Sequence, residues 1–112
     1  MHGKYGHNGP QLDFDRLDRV HSVTSKQGVQ LVLHGAGGFN EKLFRECIKH
    51  GMVKANVNDA FNVPFMNVLQ EKANKVPLTT LLEEGTLAMQ RVMEKHMDWM
   101  GSTGKAWFEG QS

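Results

Sequence analysis

Two short apolar runs, VQLVLH at residues 29–34 and MVKANV at residues 52–57, limit what this chain can fold into more than anything else in it. Each is rich in Val and Leu or Met, and neither is long enough for a helix. Between them lie a glycine turn and a stretch of helical periodicity. Runs of this kind read as strands of a parallel sheet, buried on both faces and joined by a helical crossover. The order along the chain is loop, helix, strand, helix, strand, helix, helix, which places it in the α/β class.

Local signals set the boundaries. LDFDRLDRVHSV spaces Phe14, Leu17 and Val20 three apart, one face of a helix that Asp13 caps, and SKQG breaks it. Asn40 caps the next helix, EKLFRECIKH, with Leu43, Phe44, Cys47 and Ile48 on one face. Gly51 ends it, and Lys49 and His50 sit where the helix dipole favours positive charge. Asn58 or Asp59 caps AFNVPFMNVLQEKAN, in which Pro64 kinks the helix or delays its start. Residues 75–80 read as a linker. Thr80 and Glu83 have capping-box spacing, Gly85 is a point of interruption, and a Met-rich helix runs from about Thr86 with Met89, Val92, Met93, His96, Met97 and Met100.

Composition narrows the function classes. With 112 residues the chain makes one small domain, and a formal charge of +1 without a long basic block gives no reason to invoke nucleic acid or a membrane surface. No apolar stretch approaches the ~20 residues that span a bilayer, and the amino terminus lacks a signal-peptide core. Cys47 is the only cysteine, so the default setting is reducing and cytoplasmic.

The chemistry-bearing stretch is LVLHGAGGFN, residues 31–40. His34 ends its strand at the carboxyl end, where parallel α/β proteins hold ligands. HGAGG is neither a P-loop nor GxGxxG. A glycine turn before a helix can aim backbone N–H groups at an anion, or it can be only a turn. His34 reads either as a metal ligand or as a hydrogen-bonded strand end. Asn56 stands at the same rim and either orients a ligand oxygen or caps the following helix. His7, His21, His50 and His96 read as solvated or packed, and Lys4 and Lys105 as surface charges.

HGKY at residues 2–5, LDFDRL, LVLHGAGG, a glycine before VKANV, and GSTGKA occur in one order from residue 2 to about residue 106. That order resembles the carboxyl-terminal part of class II, zinc-dependent ketose-bisphosphate aldolases, the fructose- and tagatose-bisphosphate enzymes. The resemblance implies a portion of a (β/α)8 TIM barrel. At ~31 residues per unit, it would be about three to four units and a single incomplete domain over 1–112. It implies Zn2+ held by His2 and His34. It places the phosphate of dihydroxyacetone phosphate against Gly3, against Gly35, Ala36 and Gly37, and against Asn56, Val57, Asn58 and Asp59.

In such enzymes the zinc acts as a Lewis acid in reversible aldol cleavage of a phosphorylated ketose, a step of glycolysis and carbohydrate metabolism. The family's third zinc histidine and its proton-transferring aspartate fall upstream of residue 1, so no catalytic acid or base is assigned here. A completed barrel implies a homo-oligomer, a dimer. Two departures stand out. Gly37 replaces the family's serine and removes a hydroxyl donor, and Asp59 replaces a threonine or serine with a carboxylate. The competing expectations are a non-catalytic fragment that at most binds sugar phosphate or another protein, and an unrelated small α/β domain.

Overall fold

The computed structural model describes residues 6, 7 and 9–106. The chain divides into two compact units, Met1–Val57 and Asn58–Ser112.

The first unit is built on a parallel strand pair. Helix α1 spans Phe14–Thr24, strand β1 Leu31–Leu33, helix α2 Glu41–Lys49 and strand β2 Met52–Ala55. Asp13 caps α1 by accepting from the Arg16 N–H at 2.9 Å, and Asn40 caps α2 by accepting from Leu43 N–H at 3.0 Å. Both caps satisfy a donor that the helix itself cannot. A 3-10 turn at Ser25–Gln27 and the left-handed Gly28 (φ 68°) end α1, as SKQG predicts.

The apolar face of α1 is rotated from the predicted one. Phe14 and Leu17 are half-buried, but Val20 is 44% exposed and His21 takes the inward position one turn on. Its ring lies over Gly51, where a Cβ would come within 2.5 Å of it. Gly51 therefore does more than stop α2. Its φ of 95° needs glycine, and its bare Cα leaves room for His21.

Leu33, Ala36, Phe39, Phe44 and Cys47 form the core of this unit, with Phe39 and Phe44 packed at 5.6 Å between ring centroids. Burying a side chain such as Phe44 stabilises by roughly 1.5–3 kcal/mol. Ile48, predicted on the same face, is 43% exposed. The strands pair in parallel, Val32 opposite Lys54 and Leu33 opposite Ala55, with an irregularity between Leu31 and Val32. The expectation of a strand buried on both faces does not hold for β1, since Val32 is 38% exposed. Leu33 beside it is buried, so at this point the pair is covered on one face and open on the other.

The second unit is a pair of helices, α3 at Asp59–Lys72 and α4 at Leu78–Trp99. Pro64 neither delays nor ends α3, which begins five residues earlier. Asn74 turns the chain in the left-handed region (φ 63°), a conformation asparagine tolerates. Helix α4 starts directly after Pro77, so Thr80 is inside it and caps nothing. Gly85 does not interrupt it either. It is buried, and a Cβ there would lie 2.8 Å from the Phe65 ring. The missing side chain is what lets α3 and α4 approach. Lys72 and Glu84 bridge the two helices at 2.7 Å, and Glu84 raises the lysine's pKa by hydrogen bond and charge.

Among the described residues, no helix is long and apolar enough to cross a membrane.

Candidate functional site

The candidate site begins where β1 and β2 end. After Leu33 the chain leaves the sheet at His34, and after Ala55 it leaves at Asn56. The Asn56 N–H donates to the Leu33 carbonyl at 2.8 Å, which carries the ladder one residue past the strands. This fixes the two exits side by side. The Asn56 Nδ2 stands 3.3 Å from His34 Nε2 and 3.4 Å from Nδ1. Near-equal distances mean that the amide lies across the ring and selects neither nitrogen.

The turn after His34 is formed as a left-handed Gly35 (φ 71°) followed by a 3-10 turn, Ala36–Gly38, closed by a Phe39 N–H to Ala36 carbonyl bond of 3.1 Å. Glycine at 35 answers a backbone requirement. Ala36 is fully buried, methyl group and backbone alike, so it belongs to the core and presents no surface to a ligand. Gly37 and Gly38 are exposed. The turn is anchored on one side by Ala36 and Phe39 and left bare on the other.

Val57 follows Asn56 and is half-buried. Asn58 and Asp59 belong to the second unit and open α3. The Asn58 amide donates to Asp59 Oδ1 at 3.3 Å, and its Oδ1 accepts from the Asn62 amide at 2.7 Å. Of the residues expected as metal ligand or phosphate site, the first unit thus contains His34 for the metal and Gly35, Ala36, Gly37, Asn56 and Val57 for the phosphate. His2 and Gly3 lie outside the described residues.

A catalytic zinc takes three protein ligands and an open position. Among the described residues, no group of three or more His, Cys, Asp or Glu side chains is arranged to hold a metal ion. His34 brings one imidazole to the rim, and the described residues do not supply three such donors.

His50 and His96 are engaged in packing and hydrogen bonds of their own units. His50 Nδ1 is 2.6 Å from Asp18 Oδ1, and its ring stacks on Phe14 at 4.7 Å. His96 is buried, donates Nδ1–H to the Val92 carbonyl at 2.8 Å, and packs against Phe61 and Trp99.

One residue on the same strands escaped the pattern reading. Lys54 is two residues before Asn56, so alternation puts both on one face of the sheet. That i, i+2 parity was visible in the sequence.

Comparison with known proteins supplies the family context. The family model for class-II fructose-bisphosphate aldolase matches residues 1–105. A relative from Coccidioides immitis (strain RS), whose name assigns it provisionally to the fructose-bisphosphate aldolases, is 48% identical over 108 residues, which are 96% of this chain and 35% of the relative. The crystal structure of a Coccidioides immitis protein with the same provisional assignment superposes with a TM-score of 0.89 at 48% identity, covering 94% of this chain and 36% of that one. A fructose-bisphosphate aldolase of Streptococcus pneumoniae is 30% identical over 95% of this chain and 40% of its own length. The YdjI aldolase of Escherichia coli K12 superposes at a TM-score of 0.75 with 33% identity, over 88% of this chain and 37% of that one. The chain spans 35% and 40% of the two curated relatives.

Proposed function

The chain belongs to the class-II fructose-bisphosphate aldolase family, and from that premise we propose that it carries the metal-side and phosphate-side elements of a ketose-bisphosphate aldolase site. The α/β strand pair is read as part of a (β/α)8 barrel, in which loops at the carboxyl ends of the last strands commonly hold phosphate. The observation that supports this reading is the juxtaposition of His34 and Asn56 at the carboxyl ends of two parallel strands, with the Gly35–Gly38 turn directly after His34.

Within the proposal His34 is one zinc ligand and His2 another. The remaining donor comes from outside the described residues. A bound zinc ion supplies Lewis-acid polarisation of the ketose carbonyl. The chain's own residues do the orienting. Gly35 and Gly37 offer backbone to the phosphate, and the family pattern assigns Ala36 and Gly3 to it as well. Asn56 offers its amide to the phosphate, and the family pattern assigns Val57, Asn58 and Asp59 to it as well. Gly37 has no hydroxyl, so the turn binds through N–H groups alone. The substrate class is a phosphorylated ketose, cleaved reversibly to dihydroxyacetone phosphate and an aldehyde.

Metal analysis of the purified chain beside His34→Ala tests the ligand assignment. The reading expects zinc in the first and a clear loss in the second; equal content in both sinks it. A second reading has support in the single candidate donor among the described residues: the chain binds sugar phosphate without turning it over. An aldol-cleavage assay on the 112-residue chain separates the two, because turnover rules the second out.

A further inference from the structure

Lys54 stands out from the strand register rather than from any motif. From Val32 onward the pairing is regular, with Val32 opposite Lys54, Leu33 opposite Ala55, and the Asn56 N–H on the Leu33 carbonyl. Side chains alternate along a strand, so Val32, His34, Lys54 and Asn56 share one face and Leu33 and Ala55 the other. Two observations agree with this assignment. His34 and Asn56 touch, and Leu33 is buried while Val32 is exposed.

Lys54 is exposed and makes no salt bridge among the described residues. It starts roughly 6–7 Å behind Asn56 along the strand. A flexible four-carbon stem spans that distance and brings the ammonium to the level of the rim. The rim offers an imidazole, an amide and backbone groups, none of which carries a fixed charge. A phosphorylated ligand arrives with negative charge that such groups only partly compensate.

We propose that Lys54 is the cationic anchor for the anionic group of the ligand held at the His34–Asn56 rim. The proposal rests on the sugar-phosphate reading above and names the charge that reading lacks.

The competing role is protective: a lysine on an edge strand discourages pairing with another chain. Titrating the 112-residue chain with dihydroxyacetone phosphate and with dihydroxyacetone, at low and high salt, distinguishes the two. Lys54→Met should weaken the phosphorylated ketose about ten- to hundredfold, the loss expected for one charge-assisted hydrogen bond. The uncharged ketose should bind both proteins alike, and Lys54→Arg should restore most of the affinity. Salt should weaken the unmodified chain more than Lys54→Met. Equal affinity of the two for dihydroxyacetone phosphate overturns the proposal. So does a Lys54→Met chain that aggregates or melts lower while its soluble fraction keeps that affinity, which identifies an edge guard. If the unmodified chain binds the phosphorylated ketose and Lys54→Met does not differ, only Lys54 is misassigned. If the unmodified chain binds neither ketose, the sugar-phosphate reading falls and this proposal with it.

Discussion

Cys47 shows how a single residue couples packing to chemistry in this chain. It sits on the inward face of α2, 2% exposed, beside Phe44. Burial raises the thiol's pKa above the ordinary 9.0, and the nearby Glu46 carboxylate adds to the effect. The unfolded chain therefore loses this proton at a lower pH than the folded one. Above about pH 9 the unfolded state binds fewer protons, so stability falls as pH rises through the folded thiol's pKa. Urea unfolding at pH 8 and pH 10 should show an alkaline loss that Cys47→Ala reduces. An unchanged loss in that variant would remove Cys47 as its source. Residue-scale signals that act over three or four positions were legible in advance: Asp13 and Asn40 cap where the pattern put them. His21 against Gly51 was not, because thirty positions separate them and only the packing of α1 brings them together.

At the scale of elements, α4 is where local propensity and tertiary packing part company. Propensity counts Gly85 as a break, since glycine in a helix interior costs about 0.5–1 kcal/mol relative to alanine. Here the helix runs through it from Leu78 to Trp99 because Phe65 of α3 fills the space that a side chain would take. Gly85→Ala should therefore destabilise the helix pair despite its better propensity. A Cβ 2.8 Å from a ring forces overpacking that costs about 1–3 kcal/mol. Thermal unfolding of Gly85→Ala and of the double variant with Phe65→Leu tests this. Stabilisation by the single change, or no recovery in the double, argues against the close-approach account. The Lys72–Glu84 bridge joins the same two helices and is only half-buried, so it should contribute modestly and weaken with salt.

For the molecule as a whole, the exposed apolar side chains and open edges of the strand pair have the larger consequence. Val29, Val32 and Val53 are 53%, 38% and 59% exposed, and a two-stranded parallel sheet leaves unpaired backbone along its edges. Apolar side chains beside open edges favour association between chains. Sedimentation of the 112-residue chain should show a mass that rises with concentration, less so for Val53→Lys. A single monomer mass across the range would show that this surface is not adhesive.

The sequence by itself determined the order of elements, both helix caps of the first unit, the parallel sense of the strands and the family. These depend on periodicities of two and 3.6, on side chains that reach neighbouring backbone, and on motifs in register. Tertiary structure alone decided which face of α1 points inward, that Gly85 is a packing contact and that Val32 is exposed. It also put Lys54 in register with Val32, and so on the face that carries His34. Each of these follows from contacts between segments distant in sequence, and a linear pattern holds no record of which segments meet.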